Sequence, residues 1–451
     1  MYKKENIMKR LIEAADKHRD LILSAERHIW QNPETGYKEW KTSKYLEEKF
    51  ESLGYTLTRA GNIPGFITEL DTGIPGPTLL ILGELDSLIC PNHPEADKET
   101  GAVHCCGHNA QCAALLGVAA ALSEEGALDG LCGKIRLCAV PAEELIEIEY
   151  RNKLISDGTI KYYGGKGEFL RRGLFDGVDL AFMVHTSTAY AVRGGSVGCR
   201  AKKISYKGKS AHAGGHPWGG INALYAASNG MAAANALRET FPEEDLIRFH
   251  PIITHGGEAA NAIPELVTLE AYVRGKNFEA IERANTKINR ALVGAALSIG
   301  ARIEIDDMPG YSPLYNNKDM MEMCRNAFLA VFPDEEFGFS DHIGTGSTDM
   351  GDLSMIMPVV HPYAAGSTGT SHGMDYYIVD PEKACVGSAK WQLSMLYSLL
   401  SSNAALAKRI ISGFTPAFKS KEDFLSYLDS VQLHGERIEY FEDGSAKVSW
   451  K

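Results

Sequence analysis

Residues 103–109 read Val-His-Cys-Cys-Gly-His-Asn and residues 141–144 read Pro-Ala-Glu-Glu. A thiolate, imidazoles and paired carboxylates in so short a stretch make a donor set for divalent cations with one base to spare. Cys106 and His108 stand two residues apart across Gly107, so a tight turn can aim both at one point, and sulfur with imidazole nitrogen suits zinc-like ions. Of the adjacent glutamates, one can bind metal while the other moves protons. Cys105 and Cys106 cannot both point into one site; the spacing to His108 favours Cys106, leaving Cys105 for packing and His104 as a further local candidate. Taken alone, Cys-Gly-His fits equally a buried, inert cysteine beside a surface histidine. His185, closing Leu-Ala-Phe-Met-Val-His, and His372, in the loop Gly369-Thr370-Ser371-His372-Gly373, shift that balance. Cys106, His108, Glu144, His185 and His372 together offer five donors, enough for two ions about 3.5 Å apart that share a bridge, an arrangement used for amide hydrolysis.

The elements that must position these residues alternate between strand and helix. Helical spacing covers residues 11–29, 42–53 and 113–122, and strands are expected at 66–70, 78–82, 134–140 and 180–184. The pattern predicts an α/β domain with a mixed, mainly parallel sheet between helices, where ligands collect at the carboxyl ends of the strands. Glu84 and Asp86 follow one such strand, Glu143 and Glu144 another, and His185 ends a third. After the glycine-rich run at 194–198 the grammar changes to strand, helix, two strands, helix, strand: an inserted ferredoxin-like α+β domain. It carries two polar small-residue loops, one with His212 and one with Asn261, and a strand ending in Arg274, whose guanidinium fork suits a carboxylate. The boundaries expected are 1–197 and 310–403 for a hydrolase-like catalytic domain, 198–309 for the insert, and 404–451 for a C-terminal extension with a helix at 420–431 and a hairpin turning at Glu442-Asp443-Gly444-Ser445.

At 451 residues two domains are the natural division, and a formal net charge of −12 argues against nucleic acid as a partner. Nine cysteines without disulfide spacing point to a reducing cytoplasm. The opening Met-Tyr-Lys-Lys-Glu-Asn leads into a charged amphipathic pattern, so neither a secretory leader nor a membrane span is expected.

Several motifs in order, Asn32-Pro33-Glu34-Thr35-Gly36-Tyr37 with Glu39, Cys106-Gly107-His108, Pro141-Ala142-Glu143-Glu144, Gly208 to His212, Asn261 with Ile263-Pro264, and Gly346-Ser347-Thr348-Asp349, make the chain resemble the di-metal aminoacylase and carboxypeptidase family. Within its amidohydrolase branch, Asn109 and His361-Pro362-Tyr363 look most like p-aminobenzoyl-glutamate hydrolases. The resemblance implies two Zn²⁺ or Mn²⁺ ions bridged by Cys106 and held by His108, Glu144, His185 and His372, with Asp86 supporting them. Glu143 would be the general base and then the acid. His212 would reach across a homodimer, formed through the insert acting as a lid, to stabilise the oxyanion. Asn261 and Arg274 would hold the carboxylate of an N-acyl amino acid or dipeptide. The alternatives are an aminoacylase or dipeptidase, a partner-dependent or non-catalytic subunit, and a hydrolase with Cys106 as nucleophile and His108 as its base.

The chain departs from many relatives at Asn109 and Gln111, where Asp and His are usual, and in the loop after Asp86. None of these changes removes a ligand or the base.

Overall fold

A computed structural model describes residues 2–451, with side chains from Ile7 onward; Met1 and the charged side chains just after it lie outside the described residues. The chain divides into two compact units, one of Met1–Gly195, Leu314–Gly344 and Asp352–Lys421, the other of Ser196–Pro313, Thr345–Gly351 and Glu422–Lys451.

The first unit is built on a six-stranded sheet. In chain order its strands are β1 (Thr58–Arg59), β2 (Phe66–Asp71), β3 (Thr78–Glu84), β4 (Lys134–Val140), β5 (Leu180–Phe182) and the short Val359–Val360; in space they run β1, β2, β4, β3, β5, Val359–Val360. The four strands from β4 to Val359–Val360 are parallel, whereas β1 with β2 and β2 with β4 are antiparallel, so the sheet is mixed. β3 is buried along its whole length, as expected of a central strand covered on both faces. Helices α1 (Tyr2–Lys17), α2 (Arg19–Trp30), α3 (Trp40–Ser52) and α4 (His108–Leu122), with Lys318–Val331 and Ser388–Gly413, supply the apolar layers. All of α4 is buried, which its Ala- and Leu-rich sequence permits because it carries no polar face.

Several expectations need correction. The helix expected over residues 11–29 is two helices, broken at His18, which turns its ring to Glu124 at 2.7 Å. Helix α4 starts five residues earlier than apolar spacing indicated, because Gly107 at φ 91° turns the chain so that His108 is its first residue. Three helices lie outside the periodic segments, α5 (Ile148–Ser156), α6 (Gly165–Arg171) and the five-residue Met350–Ser354; α6 is too short and glycine-rich to show a period.

The second unit is a four-stranded antiparallel sheet of β6 (Gly198–Lys207), β7 (Arg248–His255), β8 (Leu266–Gly275) and β9 (Arg302–Pro309) in the order β7, β8, β6, β9. Helices α7 (Ala223–Asn235) and α8 (Phe278–Ser298) pack on it, each started by an asparagine cap: Asn222 accepts from Leu224 N and Tyr225 N, and Asn277 from Ala280 N. The C-terminal residues belong to this unit. Leu433 and Asp307 exchange backbone hydrogen bonds at 2.8 and 3.0 Å along the free edge of β9, Tyr427 packs on Phe278, and the hairpin of Ile438–Tyr440 with Ala446–Val448 follows. Under the sheet, buried Lys202 bonds Asp307, Asn285 and Asn289 in one satisfied polar cluster. Among the described residues no helix is long and apolar enough to cross a membrane.

Candidate active site

Parallel register brings the chemistry together. Glu84 pairs with Val140 across β3 and β4, so the turn Pro141–Glu144 leaves the sheet beside Glu84 and Asp86. Ile81 pairs with Phe182 across β3 and β5, and three residues farther along each chain stand Glu84 and His185. Gly107 closes the arrangement from the helix side: a side chain there would collide with Tyr376 Oη and press on Thr186 Cβ at 2.9 Å. The loop bearing His372 is tied in by the His372 amide, which donates to Cys105 O at 2.9 Å.

All five expected donors meet. Cys106, His108 and His185 present ligand atoms within 4.8 Å of one another, and so do Cys106, Glu144 and His372, which makes Cys106 common to both groups. A third group joins Glu84, His108 and Glu143. Ring orientation fits cation binding. His108 Nδ1 faces Asp86 O at 2.9 Å and Asp86 Oδ1 at 3.2 Å, and His185 Nδ1 faces Thr186 O at 2.7 Å. Each ring thereby donates from Nδ1 and keeps Nε2 for a ligand bond. Among the described residues His108 Nε2 and Glu144 Oε1 are buried without a hydrogen-bond partner; His108 Nε2 stands 3.3 Å from Glu84 Oε2, and Glu144 Oε1 3.4 Å from His372 Nε2. Buried polar atoms left open where these donor groups converge are what a pair of cations would satisfy.

The electrostatics agree. Burial works against a charged His108, yet Cys106, Glu84 and Asp86 override it and lift its pKa well above the ordinary imidazole value, so the pocket favours positive charge there. Burial, with His108 and His361 nearby, pushes His185 down to about 3, keeping the ring neutral. Burial, reinforced by Glu144, holds the Cys106 thiol well above its usual value, the opposite of what a bound cation would impose.

Behind the donors lies support that local sequence did not reveal. Glu84 is fully buried; burial opposes its ionisation, but Lys166 Nζ at 2.6 Å and His108 hold it well below the usual carboxylate range, and Gln111 Nε2 donates to it at 3.0 Å. Lys166 sits in Gly-Gly-Lys-Gly-Glu, which carries no sign of burial. Asp86, itself fully buried, accepts from Glu144 N at 2.7 Å and also faces His108. His104 joins none of the donor groups found among the described residues; it is buried and pushed down to about 3 by desolvation. Cys105 packs with Trp30, Leu88 and Tyr376.

The remaining candidates lie in the second unit. His212 is exposed, and its Nδ1 accepts from Gly215 N at 2.9 Å and Gly214 N at 3.2 Å, so Nε2 carries the proton and is a free donor. The His212 and Asn261 loops are stitched together by Ala213 N to Asn261 O at 2.9 Å and Ile263 N to Ala211 O at 2.9 Å. Arg274, half-buried, donates to Ser347 Oγ at 3.3 Å. It stands at the end of β8 remote from Asn261, a strand length of about 30 Å away. One chain therefore does not bring Asn261 and Arg274 onto one small carboxylate.

The family model described as Peptidase family M20/M25/M40 matches residues 80–396. The chain is 27% identical over 447 residues to the Xaa-Arg dipeptidase of Mus musculus, covering 95% of this chain and 94% of that one. It is 27% identical over 316 residues to one subunit of the p-aminobenzoyl-glutamate hydrolase of Escherichia coli, covering 66% of this chain and 60% of that one. A solved Bacillus subtilis protein, described as a dinuclear metal binding peptidase from the M20 family, shares the fold with a TM-score of 0.61 at 20% identity, over 85% of this chain and 99% of that one.

Proposed function

Because the chain belongs to peptidase family M20/M25/M40 and is a metal-dependent hydrolase, we propose that it cleaves the amide bond of N-acyl amino acids or short peptide conjugates. The observation that carries this reading is the pair of three-donor groups sharing Cys106, with Glu143 at their edge. Cys106, His108 and His185 would hold one cation, and Cys106, Glu144 and His372 the other. When bound, the two ions supply positive charge that polarises the scissile carbonyl and eases deprotonation of the attacking water. Glu143, its Oε2 3.9 Å from His108 Nε2, takes that proton and returns it to the departing amine nitrogen. Arg274 offers a fork to the substrate carboxylate.

A homodimer completes the reading. His212 Nε2–H and the Asn261 amide of a second copy would meet the oxyanion and carboxylate of the first, which is supported by the separation of Asn261 from Arg274 within one chain. Exposed Trp218 and Tyr225, with Ile252 and Ile253 on the edge strand β7, offer apolar surface for such a contact. A cytoplasmic location is proposed from nine thiols kept free of disulfides, Cys106 among them.

A second reading, a dipeptidase acting on a dipeptide with C-terminal arginine, is favoured by one observation: likeness to the Xaa-Arg dipeptidase runs through nearly the whole chain, whereas that to the E. coli hydrolase covers two thirds. The test is to incubate the metal-loaded protein with N-acyl amino acids, p-aminobenzoyl-glutamate and Xaa-Arg dipeptides, with and without chelator, and to follow products by mass spectrometry. Chelator-sensitive release of one amino acid supports hydrolysis and names the substrate; activity that survives complete metal removal would favour Cys106 as a nucleophile.

A further inference from the structure

The turn that carries Glu143 and Glu144 belongs to no helix or strand, and it contains two non-glycine residues in the left-handed region, Ala142 at φ 58° and Glu147 at φ 54°. Such backbone persists only where surrounding structure enforces it. The enforcement comes largely from one distant segment. Buried Glu39 accepts from Ala142 N at 2.8 Å, while Thr35 Oγ1 and Lys38 Nζ each reach the Glu147 carboxylate at 2.6 Å. The segment also grips the residue after Asp86, since Ser87 N donates to Glu34 O at 2.8 Å. Beside this segment, with its guanidinium over the Tyr37 ring, buried Arg151 donates to Glu144 O and, at 2.7 Å, to Tyr163 O. Gly36 is the point of closest approach: a side chain there would collide with the Arg151 guanidinium and stand 3.1 Å from Ala142 Cα.

We propose that residues 34–39 and Arg151 form a brace that fixes the Pro141–Glu144 turn, with Glu39 a positioning residue for Glu143 and Glu144. This rests on the roles proposed above for those two glutamates and gives a physical purpose to the Asn-Pro-Glu-Thr-Gly-Tyr motif, none of whose residues is among the donors. What Glu39 contributes is a hydrogen-bond acceptor at a fixed place, so its charge is dispensable and its length is not. Without that acceptor the Ala142 amide is released, the turn relaxes, and Glu143 moves relative to the reacting atoms, where a displacement of about 1 Å costs about 10²-fold in rate.

The test compares full-length wild type, Glu39→Ala and Glu39→Gln for metal content, for kcat and KM on the best substrate of the panel, and for amide exchange over residues 141–147. The brace predicts that Glu39→Ala loses about 10²-fold in kcat with metal content retained and KM nearly constant, and that Glu39→Gln, which keeps the acceptor oxygen, recovers most of it. Exchange over 141–147 should quicken in Glu39→Ala and stay near wild type in Glu39→Gln. Unchanged kcat and exchange in Glu39→Ala, or Glu39→Gln as impaired as Glu39→Ala, would overturn the proposal. Should Glu39→Ala not fold, Thr35→Val decides: faster exchange over 141–147 supports the brace and wild-type exchange refutes it. Exchange is read without turnover, so an inactive wild type, which would count against the hydrolase reading, leaves this outcome separately visible.

Discussion

At the scale of single residues, the proposed division of labour falls on two neighbours one position apart. Glu144 joins Cys106 and His372, while Glu143 joins Glu84 and His108. Glu143→Ala should therefore keep both ions, measured as metal per chain, and lose about 10²- to 10⁴-fold in kcat, the range for removing a general acid–base group. Cys106 is common to both donor groups, so Cys106→Ala should lower occupancy of both ions at once. Loss of one ion with the other fully retained would show that the thiol does not bridge.

At the scale of elements, two buried ionisable contacts join the layers and make opposite predictions. Lys166 on α6 pairs with Glu84 at the end of β3, both fully buried. Removing one partner strands the other, so Lys166→Met should cost about 3–5 kcal/mol in denaturant unfolding. Glu26 on α2 receives Asn109 Nδ2 from α4 at 2.8 Å, and burial pushes its pKa up from 4.5 to about 7. The folded state then binds this proton more tightly than the unfolded chain. Its contribution to stability is complete below about pH 4.5 and is lost as pH rises through about 7. Glu26→Gln should match wild type at pH 4.5 and exceed it at pH 8 by up to about 3 kcal/mol, read from unfolding curves at the two pH values. These contacts were illegible in the sequence because Lys166 lies among glycines on a short helix and Glu26 among charged residues on an amphipathic one, and only packing reveals which charges are enclosed.

At the scale of the whole molecule, the proposed dimer makes each active site a shared object. His212→Ala and Glu143→Ala should each be inactive, yet mixing them under conditions that exchange subunits should restore about a quarter of wild-type activity, since half the dimers are mixed and one site in each is whole. No recovery, with exchange verified by mass, would place His212 outside its partner's site. The C-terminal residues bear on assembly too: by pairing with the β9 edge they cover one side of the second unit's sheet and leave β7 as its open edge.

Residue type and spacing determined which atoms can bind a cation, because ligand chemistry is a property of side chains. Cys106, His108, Glu144, His185 and His372 could be named before any fold was known, and strand periodicity was enough to place three of the segments concerned at strand ends. What joined them was long-range: the parallel register of β3 with β4 and β5, the left-handed turn at Gly107, and the loop tied to Cys105. Tertiary structure alone decided that Glu39 and Arg151 grip the turn, that Lys166 lies beneath Glu84, and that Arg274 and Asn261 stand at opposite ends of one sheet. Such relations join residues far apart in the chain through burial and hydrogen bonding, and no local pattern of side chains encodes them.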